Sequence, residues 1–248
     1  MAALRFLALL ASLLATSRVG SATLADIVGG RRARPQEFPF LASIQKQGRP
    51  FCEGALVHRR FVLTAASCFR GKNSRSTSVV LGAYDLRQQE QSRQTFSIKS
   101  ISQNGYNPQQ NLNDVLLLQL DREASLSPSV ALVQLPQQNA TVEAGTNCQV
   151  AGWGSQRSRR RRRFYRFPRV LNVTVTSNQC LPKDVCIGVL TSQGRISQGD
   201  RGAALVCNGL AQGVASFLRR PLGRRSSFFT RVALFRNWID SIINNPPA

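Results

Sequence analysis

The sequence predicts an all-β fold, built as sandwiches or barrels, that ends in one helix. Short apolar runs alternate with breaks rich in Gly, Pro, Asn and Ser along most of the chain, which is typical of many short strands. Examples of these runs are 40–44, 61–64, 78–82, 115–120, 148–153, 170–175 and 203–207. With 42% hydrophobic residues over 248 positions, the chain can bury the core of one large β-unit or of two small domains.

Only the C-terminal segment has the spacing of an amphipathic helix. Its apolar stripe consists of Val232, Leu234, Phe235, Trp238, Ile239 and Ile242. Arg236, Asn237 and Asp240 lie off this stripe, and the segment 244–247, Asn-Asn-Pro-Pro, ends it. We interpret it as a helix packed on the β-core rather than as a membrane-active helix.

The N-terminal residues predict export. Arg5 precedes an apolar run over 6–15 that is too short to span a bilayer and has the build of a signal peptide. We expect residues 1–20 to be removed near Gly20, residues 21–26 to form a short propeptide, and the mature chain to be secreted and soluble. Two sequons, at Asn139 and Asn172, are candidate glycosylation sites.

Cysteine usage agrees with an oxidising compartment. The six cysteines are Cys52, Cys68, Cys148, Cys180, Cys186 and Cys207. An even count in an exported chain predicts three disulfides, and arithmetic alone leaves about fifteen pairings open. No C-x2-C pair exists and His58 is the single histidine, so we expect no zinc site, no other metal and no cofactor.

The charge of the chain is its most unusual property. Lys and Arg number 33 against 12 Asp and Glu, which gives a formal net charge of +21. A solvated surface is the simpler explanation, but a field of this size attracts anionic polymers, membranes or nucleic acid. The densest stretch, 157–169, has no apolar period, and we expect it to be an exposed loop.

Arginine is suited to anion binding because its planar fork donates two hydrogen bonds to a sulfate or phosphate and stays charged. The candidate contacts form three clusters: Arg157, Arg159, Arg160, Arg161, Arg162, Arg163, Arg166 and Arg169; Arg219, Arg220, Arg224 and Arg225; and Arg59, Arg60, Arg70 and Lys72. Phe164 and Tyr165, inside the first cluster, could stack on sugar rings or enter acyl chains, or have no role in binding.

Five motifs in order resemble those of the chymotrypsin-like serine-protease family. They are Ile27-Val28-Gly29-Gly30, Leu63-Thr64-Ala65-Ala66-Ser67-Cys68, Asn113-Asp114-Val115-Leu116-Leu117-Leu118, Ala151-Gly152-Trp153-Gly154 and the segment 198–207. The resemblance implies two six-stranded antiparallel β-barrels, at about 27–134 and 135–248, with a cleft between them and a C-terminal helix. It also implies the disulfides Cys52–Cys68, Cys148–Cys207 and Cys180–Cys186.

The residues that carry catalysis in that family are largely replaced. The mechanism needs a serine nucleophile, a histidine base and an aspartate that orients the histidine. Of these only the aspartate matches, as Asp114, because Ser67 stands at the histidine position and Arg201 at the serine position. A hydroxyl is no base near neutral pH and a guanidinium is no nucleophile, so we expect no proteolysis. His58 is interpreted as an ordinary strand or surface histidine.

The predicted cleft is altered beyond the triad. Arg195 stands where the family sets primary specificity, and Ala203-Ala204 replaces Gly-Pro. Arg195 and Arg201 could make the cleft anion-accepting, or could be neutralised by Asp200 or solvent. Two further family cysteines are missing together, at Ser197 and within 219–223, which removes one crosslink.

Two carboxylates keep predicted structural roles. The resemblance implies that the amine of Ile27, freed by processing, pairs with Asp200, and a buried carboxylate needs such a partner. Asp114 has no imidazole to orient, so we expect the hydroxyls of Ser67 and Ser216 to satisfy it.

A closer resemblance lies within the family, to its inactive members stored in the azurophil granules of neutrophils. It rests on Ala66-Ser67-Cys68 and on the segments 80–87, 104–114 and 229–236. It implies a monomer that binds heparin, related glycosaminoglycans and lipopolysaccharide, kills Gram-negative bacteria and attracts monocytes through an unknown receptor. Two alternatives stay open: a hydrolase with a non-standard nucleophile, and a general polyanion or nucleic-acid binder.

Overall fold

The computed structural model describes residues 30–71, 76–154, 156–157, 162–176, 184–189, 196, 198–219 and 226–247. Several predictions fall outside them: the signal peptide, the propeptide and the residues Ile27, Lys72, Arg159, Arg160, Arg161, Cys180, Arg195, Ser197, Arg220, Arg224 and Arg225. For Arg157, Arg162, Arg163, Cys186 and Arg219 the description covers the backbone.

Within the described residues the chain forms fifteen strands and one α-helix. The strands are β1 (Arg31–Arg32), β2 (Leu41–Lys46), β3 (Arg49–His58), β4 (Phe61–Thr64), β5 (Thr77–Leu81), β6 (Gln94–Gln103), β7 (Leu116–Leu120), β8 (Asn147–Gly152), β9 (Gln156–Arg157), β10 (Arg162–Arg163), β11 (Arg169–Thr176), β12 (Asp184–Val189), β13 (Ala204–Cys207), β14 (Leu210–Arg219) and β15 (Ser226–Arg231), and the helix is α1 (Arg236–Asn244).

The first barrel closes in the order β2-β3-β4-β7-β6-β5, with every neighbouring pair antiparallel. Its core is formed by fully buried aliphatic and aromatic side chains, among them Ile44, Leu56, Leu63, Phe96 and Leu117. Closure leaves the barrel without a free sheet edge.

The second barrel is a ring of six strands because β8 pairs with both β11 and β13. The ring runs through β12, β15 and β14. The short strand β1 adds to β11, with Arg31 opposite Val170 and Arg32 opposite Arg169. The predicted all-β, two-barrel architecture is confirmed.

All seven apolar runs singled out in the sequence lie on strands, and their ends agree with β2, β4, β5, β7, β8, β11 and β13 within two residues. Most positions of these runs carry buried side chains.

The C-terminal segment differs in detail from the predicted helix. Residues Val232–Phe235 form a 3₁₀ turn, and the α-helix begins only at Arg236. Val232, Phe235 and Ile239 are buried in the core cluster of the first barrel. The described chain therefore starts on the second barrel with β1 and ends against the first with α1, which ties the barrels together. None of the described helices is long and apolar enough to cross a membrane.

The arginine-rich segment 157–169, predicted as an exposed loop, contains paired backbone. Strands β9 and β10 are antiparallel, with Arg162 opposite Arg157 and Arg163 opposite Gln156. The base of this hairpin is held by the amide of Tyr165, which donates to the carbonyl of Trp153 over 3.1 Å. Backbone pairing needs no apolar period, and this is why composition missed it.

Candidate functional site

Asp114 is the buried centre of the candidate site. It lies just before β7 and is 1% exposed. Its carboxylate accepts three hydrogen bonds, from the amide of Ser67 (2.6 Å), the hydroxyl of Ser67 (2.8 Å) and the hydroxyl of Ser216 (2.5 Å). The hydroxyls expected from sequence to satisfy Asp114 are the ones that do so.

Ser67 is held in place by a 3₁₀ turn over Ala66–Cys68. The amide of Cys68 donates to the carbonyl of Ala65, and the disulfide Cys52–Cys68 ties the turn to β3. The second disulfide, Cys148–Cys207, joins β8 to β13. Both pairings are those implied by the family resemblance.

Arg201 follows a 3₁₀ turn over Gln198–Asp200. Its Nε donates to the carbonyl of Ser216 over 3.1 Å, and its own carbonyl accepts from the amide of Glu53 over 2.9 Å. Gly202 has a φ of +89°, and a Cβ there would overlap the carbonyl of Glu53, so the backbone turns only with glycine at this position. Ser216 therefore contacts both Asp114, through its hydroxyl, and Arg201, through its carbonyl.

Sequence reasoning missed Tyr106 as a member of this site. Tyr106 lies near Ser67, and its ring packs against the first barrel's core. Burial and the charge of Asp114 raise the pKa of Tyr106, while the charges of Arg201 and Arg70 act in the opposite direction. Tyr106 and Ser67 are far apart along the chain, which hides their proximity from sequence analysis.

The described side chains around Asp114 differ from those of a Ser-His-Asp triad. In the described part of the site no imidazole faces Asp114, whose oxygens are taken by the serines. Arg201 stands at the sequence position expected for the nucleophile, and its Nε donates to the carbonyl of Ser216. His58 lies at the end of β3, where its Nδ1 accepts from the amide of Arg60 over 3.2 Å.

Glu53 is the second residue that sequence reasoning missed. It is 2% exposed, and its Oε1 accepts from the amides of Trp153 (2.5 Å) and Gly154 (3.1 Å) across the seam between the barrels. A Cβ at Gly152 would overlap this carboxyl. Burial, together with the nearby charge of Asp200, raises the pKa of Glu53 well above its usual range. A lone acidic residue inside the apolar run of β3 is the signal that could have found it.

The Ile27–Asp200 pair stays a prediction, because Ile27 lies outside the described residues. Asp200 itself is fully buried. Within the described ranges, the His, Cys, Asp and Glu side chains form no group of three or more that could hold a metal ion. Asn139 and Asn172, the two sequon residues, are both exposed.

Several candidate anion contacts have partners within the fold. Arg60 pairs with Glu123 (3.3 Å), and Arg166 pairs with the buried Asp85 (2.6 Å). Arg169 donates to the carbonyl of Gly30. By contrast, Arg59 and Arg70 are exposed and form no ion pair with the acidic side chains of the described residues.

Comparison with known proteins agrees with this geometry. The Trypsin family profile matches residues 27–239. Azurocidin of Sus scrofa is 86% identical over 248 residues, covering 100% of both chains, and azurocidin of Homo sapiens is 67% identical, covering 99% of this chain and 98% of that protein. The solved structure of human heparin binding protein is 67% identical, with a TM-score of 0.83 over 89% of this chain and 100% of that one.

Proposed function

This chain belongs to the trypsin family, and we propose that it is a non-catalytic member that binds heparin and related glycosaminoglycans. The observation that carries the proposal is the pair of substitutions around Asp114, where a serine and an arginine replace base and nucleophile. A cleft that cannot hydrolyse a peptide leaves the cationic surface as the chain's functional feature.

The absence of catalysis is supported by the roles that the substituted residues take. Ser67 donates its hydroxyl to Asp114, and Arg201 donates its Nε to the carbonyl of Ser216. Loss of the base or of the nucleophile alone removes most catalytic acceleration, because the triad acts as a unit. The alternative, a hydrolase with a non-standard nucleophile, has no candidate base to support it in the described site.

Heparin binding is supported by the relatives and by charge. One solved relative at 67% identity is named for heparin binding, and this chain carries a formal net charge of +21. Guanidinium groups form charge-assisted, two-pronged bonds with sulfate oxygens.

The β9–β10 hairpin is the part of the surface best suited to a long polyanion. Its register sets Arg162 opposite Arg157, and like charges at directly opposed positions destabilise a ladder. Bound sulfates offset that repulsion, so heparin should stabilise the hairpin. The segment 157–169 that contains it is the densest run of arginine in the chain.

The wider activities are proposed on the same basis. We propose binding of lipopolysaccharide and bacterial membranes, antimicrobial and monocyte-attracting activity, secretion and storage in neutrophil granules. A general polyanion or nucleic-acid binder is the second candidate, which the charge alone favours. Competition between heparin and DNA for the protein separates the two.

The heparin proposal is tested by neutralising Arg159 to Arg163. Replacing these five arginines by Gln lowers the net charge by five, and so does a control variant in which Arg34, Lys46, Arg49, Arg87 and Lys99 become Gln. These control residues are exposed and lie outside the candidate clusters. We expect at least about tenfold weaker heparin binding for the first variant, and a much smaller loss for the control. Equal losses of heparin affinity in the two variants would show that the hairpin segment is not a specific heparin-binding site.

The catalytic proposal is tested with a serine-directed covalent probe. We expect the probe not to label the purified mature protein. Trypsin, as the positive control in the same experiment, should be labelled. Labelling that survives replacement of Ser67 would show a nucleophile outside the cleft.

A further inference from the structure

We infer that Arg32 forms a specific sulfate site at the foot of the β9–β10 hairpin, where it lies over the ring of Phe167 and beside Arg169. This inference rests on the proposed heparin binding and adds a contact outside the three basic clusters that the sequence indicates. The foot site is defined here as Arg32, Tyr84, Phe167 and Arg169. Its ligand is a sulfated sugar of the same chain that the hairpin binds.

The first support is the way in which Arg32 is held. Its Cζ lies 3.4 Å from the ring centroid of Phe167, and its Nε donates to the hydroxyl of Tyr84 over 2.8 Å. That hydroxyl in turn donates to the carbonyl of Ala33 over 2.8 Å. The rings of Tyr84 and Phe167 are themselves 5.2 Å apart between centroids. The guanidinium is therefore oriented before a ligand arrives, and less conformational entropy is lost on binding.

The second support is the set of donors that this arrangement leaves. Arg32 is exposed and forms no ion pair with an acidic side chain of the described residues. A guanidinium has five N–H donors, and the bond to Tyr84 uses one of them. Because the N–H bonds lie in the guanidinium plane, stacking on a ring leaves the terminal nitrogens available to two oxygens of one sulfate.

The third support is a second cation beside Arg32. Arg32 and Arg169 are directly opposed in the β1–β11 ladder, where the Cβ atoms of opposed residues lie about 5 Å apart on one face. Arg169 donates to the carbonyl of Gly30 and pairs with none of the acidic side chains in the described ranges. Like charges at opposed positions repel each other, and a bound sulfate offsets that repulsion.

The acidic side chains around the foot site have other partners. Glu37 pairs with Arg31, and the buried Asp85 pairs with Arg166 over 2.6 Å. Glu90 accepts from two backbone amides of the segment 84–85. These carboxylates are therefore compensated by groups other than those of the foot site, which keeps its positive charge for an external anion.

The foot site adjoins the hairpin along the chain. Phe167 follows Arg163, the last residue of β10, by four positions, which even a fully extended chain spans in about 14 Å. Between them, the backbone hydrogen bond from Tyr165 to Trp153 ties the segment to the second barrel. One sulfated chain can therefore contact the hairpin and the foot site together.

The test compares two neighbouring arginines of β1. Arg32→Gln and Arg31→Gln each remove one exposed charge, but Arg31 is paired with Glu37, and the alternation of a strand directs the two side chains to opposite faces. Heparin affinity for the mature protein is measured by calorimetry at about 50 mM salt. We expect Arg32→Gln to weaken binding by about tenfold and Arg31→Gln by less than about twofold. Equal weakening would overturn the inference, because heparin would then respond to net charge alone.

Two substitutions that leave the net charge unchanged test how Arg32 binds. Arg32→Lys keeps a cation but loses the planar fork, and Phe167→Leu removes the ring that carries the guanidinium. We expect each to weaken heparin binding by about threefold. Full affinity in both variants would contradict the foot site, because a held guanidinium would then not be needed. Thermal unfolding that matches that of the unaltered protein shows that a lost affinity does not come from a damaged fold.

Heparin carries carboxylates as well as sulfates, and an arginine fork binds either group. Desulfated heparin of the same length, which keeps its carboxylates, should bind Arg32→Gln and the unaltered protein within about twofold of each other. A tenfold difference with desulfated heparin would assign the site to carboxylates and overturn the sulfate assignment.

The same measurements separate this inference from the proposed function. Binding of heparin to the unaltered protein tests the function, and its absence would defeat both proposals. Heparin that binds the unaltered protein but does not distinguish Arg32→Gln from Arg31→Gln defeats the foot site alone.

Discussion

Asp114 and Glu53 show how differently two buried carboxyls can be accommodated. Asp114 receives three donors on its two oxygens. Glu53 receives two amides on Oε1 alone and faces the charge of Asp200. Burial beside a second carboxylate favours the protonated form of Glu53.

Removing one donor from Asp114 should therefore destabilise the fold. Ser216→Ala deletes the 2.5 Å hydrogen bond, and we expect a loss of about 1–3 kcal/mol in the free energy of unfolding. Chemical denaturation measures this loss. The control is Ser125→Ala, at an exposed serine outside the candidate site, and an equal effect of both substitutions would contradict the prediction.

Glu53 should make stability depend on pH. Because the pKa of Glu53 is raised in the folded state, the folded protein keeps a proton on this carboxyl that the unfolded chain releases. The stability that Glu53 contributes is therefore fully present below the unfolded pKa of about 4.3 and is lost as pH rises through the folded pKa. Glu53→Gln keeps an acceptor for the two amides and adds a donor toward Asp200. We expect this variant to be more stable than the unaltered protein near neutral pH.

The measurement is the free energy of unfolding from about pH 4 to about pH 8, as a difference between the variant and the unaltered protein. That difference should grow in favour of Glu53→Gln as pH rises. Glu143→Gln, at an exposed position, should show a flat difference. A flat difference for Glu53→Gln as well would mean that the carboxyl titrates normally.

At the scale of elements, the C-terminal segment joins the two barrels. It leaves β15 of the second barrel, forms the 3₁₀ turn Val232–Phe235 and enters α1. The turn and the helix both bury side chains in the first barrel's core. The switch from a 3₁₀ turn to an α-helix lets residues on both sides of Arg236 face the same core.

Ile239 carries the greatest burial in α1, at 0% exposure. Ile239→Ala should cost about 2–5 kcal/mol of unfolding free energy, from the lost transfer energy and the cavity left behind. Ile242, on the same stripe, is only partly buried, and its replacement by Ala should cost clearly less. Denaturant titration of both variants checks the order, and the reverse order would place the helix differently on the barrel.

At the scale of the whole molecule, charge is the dominant property. The 33 basic residues oppose 12 acidic ones, and the ion pairs of the described residues use few of the basic side chains. An excess of positive charge of this size speeds the encounter of the protein with polyanions and makes their binding sensitive to salt.

Heparin affinity should therefore fall linearly with salt on logarithmic axes, as counterions are released from the polyanion. Between about 50 and about 200 mM salt, neutralising Arg159 to Arg163 should make the slope shallower, because fewer charges are paired on binding. Arg201→Gln should change this slope by no more than the amount expected for the loss of about one neutralised charge. A slope unaltered by the five-residue substitution would mean that long heparin binds elsewhere on the surface.

The sequence by itself determined the features that depend on residue type and short spacing. Strand runs such as 61–64 are of this kind, and so is the prediction that Ser67 and Arg201 stand at the positions of base and nucleophile, because residue type and short spacing are local properties. Only the tertiary structure decided what those residues meet. Tyr106 lies near Ser67, and Glu53 accepts from the amide of Trp153 across the seam between the barrels, so both contacts join residues far apart along the chain. Hydrogen-bond satisfaction and pKa depend on such neighbours, which no short window of sequence contains.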